Sequence, residues 1–398
     1  MKFSVRCSVL ALSLPLFLAA CGGGSDLYTP RIVSSVAQTI EAVPSSSATL
    51  LTHTMQAVAG GETNATSLLF VPSGTPPAGG WPLVAWAHGT TSVAKASCAP
   101  SQTPQYLDGG LTAEGFPSNY AAFIASLVGA GYAVVAPDFE GLGPAASGKY
   151  PYYNSASESR SLISAARSAR IANPSIASRW AVVGHSEGAR GALAMQDFLG
   201  EATDLDFRGT VALAPFVSMA AAVDSLGGLA TADPTNAPTY RTIQNLFVAM
   251  LTTAARVVTP TLDVATTMGT DLAALMPVLQ NNCIFASFGT FAQTIAPKAP
   301  GSFEGFRADW ASASGMKEFL ATNDVGASSS FSLKAPTLIA QGTNDIFVLK
   351  STTDALVSKL GTQSAPTLTY KTFPGADHGT IITQATPEVL AFLAARLR

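Results

Sequence analysis

The chain has 398 residues, enough for one large α/β domain with an insertion or for two domains. Its 22 basic and 25 acidic side chains leave a formal net charge of −3, so nothing in the sequence offers a basic field for nucleic acid. Charged residues make up 12% against roughly 25% in a typical soluble domain, and Ala, Gly, Ser and Thr fill the gap. A neutral surface with some apolar exposure suits apolar partners, although an alanine-rich coding bias gives the same composition.

Residues 1–20 read as a targeting segment. Lys2 and Arg6 precede the apolar run "VLALSLPLFLAA". The run ends in "LAAC", Leu18 to Cys21, which resembles a bacterial lipobox with Cys21 as the lipidation site. The alternative is a plain secretory signal cleaved near Ala20. The apolar run is too short to span a membrane. Gly22 after the cysteine does not match the rule for inner-membrane retention. The expected location is therefore a bacterial cell envelope, with a lipid anchor at the outer membrane, or outside the cell. Residues 21–45 read as a tether with an irregular continuation.

From residue 46 the pattern becomes regular. "TLLTHTMQAV" and "TSLLFVPSG" flank the Gly- and Asn-containing "AGGETNA" and read as an antiparallel pair. "PLVAWAHGT" is a buried strand ending in a turn. "YAAFIASLVGAGY" is a helix stopped by Gly129 and Gly131. "YAVVAPDFEG" is a strand, "SESRSLISAARSARIA" a helix, "RWAVVGHS" a strand, "EGARGALAMQDFLG" a helix and "RGTVALAPFV" a strand. This alternation implies βαβ units and a mostly parallel sheet over 46–217. Residues 218–334 lack strand patterns and read as a helical cap, with helices at "TIQNLFVAMLTTAARVV", "TDLAALMPVLQ" and "MKEFLATN". Residues 335–398 return to the sheet with "APTLIAQG", "TTDALVSKL", "LTYKTF" and "TPEVLAFLAARL".

"VVGHSEG" places Ser186 between Gly184 and Gly188, after a strand and before a helix. G-x-S-x-G in that setting is a nucleophile elbow. The sharp turn exposes the serine Oγ, and the next N–H, that of Glu187, points at a developing oxyanion. On this reading Glu187 matters for its N–H and not for its carboxylate.

A serine needs a base, and four histidines are available. His53 lies in the first hairpin. His185 is inside the elbow and is expected to point away from the site. His88 belongs to "AHGT" after an early strand. His378, in "PGADHGT", has the place of the base in the order Ser, Asp, His. Asp345 in "TLIAQGTNDIFV" sits at the end of the preceding strand and is the expected orienting acid. Asp324, Asp354 and Asp377 are its rivals. The second oxyanion donor is expected to be the N–H of Thr90, with Thr91 as the alternative. The histidines are dispersed, so no metal site and no cofactor are expected.

Cysteine counting gives one pair. Cys7 leaves with the signal and Cys21 is lipidated, so Cys98 and Cys283 are expected to form a disulfide in an oxidising compartment. The alternative is two buried thiols.

"VAWAHGTT…CAPS", "GAGYAVVAPDFEGLG", "VVGHSEG", "GTNDIFV" and "GADHGT" occur in the order and rough spacing of the secretory lipase family, typified by fungal lipase A, and the chain resembles that family. The resemblance is weak within 218–334. It implies an α/β-hydrolase fold with a helical cap, ester hydrolysis with acylglycerols or other apolar esters as substrates, and Ser186, Asp345 and His378 as the triad. It also implies that Cys98 pairs with a cap cysteine. The competing readings are a peptidase or amidase on the same fold, and a non-catalytic lipid-binding surface lipoprotein.

Overall fold

The structure is a computed structural model that describes residues 27–43, 46–102, 120–146, 149–361 and 367–398. The targeting segment and Cys21 lie outside the described residues. Among the described residues no helix is long and apolar enough to cross a membrane.

Nine strands among the described residues form one sheet. In chain order they are β1 (Ile32–Gln38), β2 (Ser46–Gln56), β3 (Glu62–Pro72), β4 (Trp81–Ala87), β5 (Ala133–Pro137), β6 (Ile176–His185), β7 (Asp206–Leu213), β8 (Thr337–Gly342) and β9 (Leu368–Phe373). Their spatial order is β1-β2-β3-β5-β4-β6-β7-β8-β9. The β1–β2, β2–β3 and β3–β5 pairs are antiparallel. Every pair from β5–β4 to β8–β9 is parallel.

The parallel centre is apolar on both faces because helices cover both. Leu83, Val84, Ala85 and Trp86 of β4 and Trp180 to Val183 of β6 are all buried. On one side lie α1 (Tyr120–Gly129) and the C-terminal α11 (Thr380–Leu397), which touch each other. On the other lie α2 (Ser155–Ala172) and α3 (Glu187–Ala194), also in contact. Asn154 caps α2 by accepting the Ser157 N–H at 3.0 Å.

Between β7 and β8 the chain forms α4 (Met219–Ala232), α5 (Ala237–Val258), α6 (Thr270–Ala273), α7 (Met276–Asn281), α8 (Ile284–Ile295) and α9 (Met316–Asn323), and α10 (Lys350–Gly361) joins β8 to β9. Pro238 starts α5, where its missing N–H costs nothing. The α5 residues Leu246, Phe247 and Met250 share one continuous apolar core with the sheet. Cys98 and Cys283 form a disulfide with Cα atoms 5.5 Å apart, joining the loop after β4 to the residue that precedes α8.

Two elements differ from the sequence expectation. Ile32–Gln38, inside the stretch read as tether, is a strand. Its side chains are mostly exposed and carry no burial pattern, and backbone pairing to β2 forms it. "TDLAALMPVLQ" is two short helices, because Pro277 starts a new one and cannot donate to the turn before it.

Candidate active site

Ser186 lies between the end of β6 and the start of α3 with φ 57° and ψ −120°, a strained backbone for a residue with a Cβ. The flanking glycines explain how the turn closes. A Cβ at Gly184 would lie 2.2 Å from the Gly188 carbonyl oxygen. One at Gly188 would lie 2.1 Å from that of Ala87. Side chains at either position would push the elbow out of the sheet.

His378 lies in the loop between β9 and α11, and its Nε2 is 3.0 Å from Ser186 Oγ. Its Nδ1 is 2.8 Å from Asp345 Oδ2. Asp345 follows β8 and has a fully buried side chain. Its other oxygen accepts the N–H groups of Phe347 and Val348 at 2.9 and 2.8 Å. Those bonds fix the carboxylate, and the carboxylate fixes the ring with a proton on Nδ1. The Nε2 lone pair then faces the serine hydroxyl, so the imidazole can take its proton.

The rival aspartates are engaged elsewhere. Asp324 accepts the Ser218 and Met219 N–H groups at the start of α4, both at 2.7 Å. Asp377 accepts those of Gly379 and Thr380 at the start of α11. Asp354 pairs with Lys350 and Tyr370.

Thr90 and Thr91 line the same pocket as Ser186. His88 Nδ1 donates to the Gly89 carbonyl at 2.7 Å, which sets the plane of the Gly89–Thr90 peptide. The Thr90 N–H points the opposite way across that planar unit. Among the described residues neither the Thr90 nor the Glu187 N–H has a hydrogen-bond acceptor. Gly89 is required by space: a Cβ there would lie 2.6 Å from Tyr120 Oη and 3.2 Å from Ser186 Cβ. Burial pushes His88 down to about 4, so its ring stays neutral, stacked 4.4 Å from Phe139.

Two expectations need correction. His185 does not point away from the site. It lines the pocket, with Nδ1 2.8 Å from Tyr120 Oη and Nε2 2.8 Å from the His378 carbonyl oxygen. As the last residue of β6, His185 places its imidazole between Tyr120 of α1 and the His378 carbonyl of the loop before α11. The Glu187 carboxylate, dismissed from sequence, is completely buried and accepts the Tyr150 hydroxyl at 2.6 Å. Glu158 pairs with Arg190 close by. Burial raises the Glu187 carboxyl well above the usual range, reinforced by Glu158, and burial pushes Glu158 up to about 7. Arg190 stacks on the Tyr153 ring at 4.1 Å. This buried polar cluster was hidden in the sequence because Glu158, Tyr150 and Arg190 are spread over three segments.

The pocket over Ser186 encloses about 830 Å³ with its open mouth included. Among the described residues its walls carry no Asp, Glu, Lys or Arg side chain. Leu246, Phe247 and Met250 come from α5, Ile284, Phe285 and Phe288 from α8, and Phe216 and Phe347 from the ends of the sheet. Among the described residues no group of three or more His, Cys, Asp or Glu is placed to hold a metal ion.

No curated protein matches the sequence. Solved structures match over most of the chain. The rice cell wall degrading esterase LipA from Xanthomonas oryzae is 18% identical, with a TM-score of 0.70 over 92% of this chain and 97% of its own. A putative hydrolase from Legionella pneumophila is 15% identical, with a TM-score of 0.69 over 91% and 98%. Candida antarctica lipase A in its closed state is 15% identical, with a TM-score of 0.65 over 92% and 86%. These likenesses identify an α/β-hydrolase fold. The Alpha/beta hydrolase family model matches residues 68–391, and the chain belongs to that family.

Proposed function

We propose that the protein is a serine carboxylic ester hydrolase of the lipase/esterase type, acting on acylglycerols or other apolar esters. The observation that carries this is the unbroken bonded chain from Asp345 through His378 to Ser186 at the floor of an apolar pocket. His378 takes the serine proton as Oγ attacks the ester carbonyl. The oxyanion is received by the N–H groups of Glu187 and Thr90. Protonated His378 gives its proton to the leaving alcohol as the ester C–O bond breaks, and water repeats the sequence on the acyl-enzyme.

The walls favour an acyl chain. Eight apolar side chains from the cap and the sheet ends surround the serine, and a substrate with a charged group near its ester would leave that charge unpaired. The esterase and lipase named among the similar structures support the ester reading. Anchoring at the envelope through Cys21 belongs to the same proposal and rests on the sequence of residues 2–25.

A series of p-nitrophenyl esters from acetyl to long acyl, run beside aminoacyl anilides, tests the assignment. Ester turnover that is lost in Ser186→Ala supports it. Anilide turnover exceeding ester turnover would reassign the protein as an amidase.

A further inference from the structure

Tyr120 and His185 stand at the centre of a hydrogen-bonded chain that the reaction scheme does not use. The Gly89 N–H donates to Tyr120 Oη at 3.0 Å. Tyr120 Oη is 2.8 Å from His185 Nδ1, and His185 Nε2 is 2.8 Å from the His378 carbonyl oxygen. The polarity of the chain is forced. A carbonyl only accepts, so Nε2 carries the proton. Burial holds His185 well below its ordinary range, with the neighbouring His378 acting in the same direction, so the ring is neutral and Nδ1 is an acceptor. The Tyr120 hydroxyl therefore donates to His185 and accepts from Gly89. Each bond uses one hydrogen.

The chain adds a side-chain tie among three loops that the β4–β6 pairing and the His378–Ser186 bond already bring together. Gly89 precedes Thr90 on the loop after β4. His185 precedes Ser186 at the end of β6. His378 sits between β9 and α11. We infer that Tyr120 and His185 are positioning residues that lock the oxyanion loop and the backbone of the base loop to the nucleophile elbow. The inference rests on the ester-hydrolase reading.

A neutral imidazole suits the position between Tyr120 and His378. It must accept on one side and donate on the other. Its ring centroid lies 4.6 Å from that of His378, where a fixed cation at residue 185 would oppose the imidazolium formed at residue 378 during turnover.

The test compares Tyr120→Phe, His185→Gln, His185→Leu and the Tyr120→Phe/His185→Gln double variant with the wild type. The readouts are p-nitrophenyl butyrate turnover, the rate at which a fluorophosphonate labels Ser186, and the thermal midpoint. Tyr120→Phe is expected to lower kcat roughly tenfold with KM within twofold, and to slow labelling by a similar factor. His185→Gln keeps a donor for the His378 carbonyl and is expected to retain more activity than His185→Leu. A side chain serving only as packing gives the reverse order, since leucine fits a buried slot better. The double variant is expected to be no worse than the poorer single, because both break one chain. Single variants within twofold of the wild type, or penalties that multiply in the double, overturn the inference. A wild type that neither turns over the ester nor labels overturns the ester-hydrolase reading instead.

Discussion

The Ile284 N–H donates to the Thr91 carbonyl at 2.9 Å, joining the first residue of α8 directly to the loop that carries the candidate oxyanion donor Thr90. The Cys98–Cys283 disulfide ties the same two segments beside it. Cap helix and oxyanion loop therefore form one mechanical unit, and the pocket wall supplied by α8 depends on it.

Replacing both cysteines by alanine is expected to lower the thermal midpoint clearly. The bridge closes a loop of 185 residues, and chain entropy assigns such a cross-link about 5 kcal/mol as an upper figure. Long-acyl ester turnover is expected to fall more than acetyl ester turnover, because only the longer chain needs the Phe285 and Phe288 wall. Thermal melts and the ester series with the oxidised and the cysteine-free protein read this out. Equal losses for both esters would detach the bridge from the pocket.

Gly89→Ala is expected to cost on the order of 10²-fold in kcat, the usual loss when one oxyanion donor is displaced. The added Cβ meets Tyr120 Oη at 2.6 Å and has the elbow on its other side, so the loop must move. The folded state should survive, because the clash is at a loop and not in a strand. Steady-state kinetics with a circular dichroism melt checks both halves. Wild-type kcat in a folded variant contradicts the placement of Thr90.

Leu246→Trp is expected to shift the ester preference toward shorter acyl chains. Leu246 faces the pocket from α5, and the larger ring occupies space that a chain would fill. The ratio of octanoate to acetate kcat/KM is expected to fall at least tenfold, since each excluded methylene removes about 0.8 kcal/mol of burial. An unchanged ratio means that the acyl chain runs elsewhere.

The alternation of strands and helices around the elbow, the meeting of Ser186, Asp345 and His378, and the Cys98–Cys283 pairing were legible in the sequence, because each depends on local spacing or on counting. It did not reveal β1, whose exposed residues leave no hydrophobic period. The roles of Tyr120 and the His185 side chain were also invisible. Their partners lie 31, 65 and 193 positions apart, and the contacts exist only once α1 and the base loop pack on the elbow. The burial of the Glu187 carboxylate was invisible for a related reason. A carboxylate at the start of a helix is usually solvated, and only the fold shows Tyr150, Glu158 and Arg190 closing over it.

His53 gives a stability prediction away from the site. It is buried on β2 with Nε2 2.9 Å from Ser67 Oγ, and burial lowers it to about 4 from 6.5. Its contribution is complete above pH 6.5 and is lost as pH falls toward 4, because the unfolded chain takes up a proton that the folded chain excludes. The loss is on the order of 3 kcal/mol. Asp138, raised by burial to about 6, and Glu158 act in the opposite direction, so the raw pH slope mixes signs. The difference between wild type and His53→Gln isolates the histidine. Denaturant titrations at pH 7 and pH 4 are expected to show the stability gap narrowing by that amount. A gap that stays constant means that His53 titrates normally in the fold.

The central claim is that Ser186 is a nucleophile activated by His378 and held in register by Asp345. Replacing Ser186 is expected to cost about 10⁶ in kcat, and Asp345→Asn about 10⁴. The most direct measurement is fluorophosphonate labelling of the folded protein followed by mass-spectrometric mapping of the adduct. The account predicts one adduct per chain, on Ser186, formed quickly in the wild type, far more slowly in Asp345→Asn, and absent in Ser186→Ala. A folded wild type that stays unlabelled, or an adduct on any other residue, contradicts it.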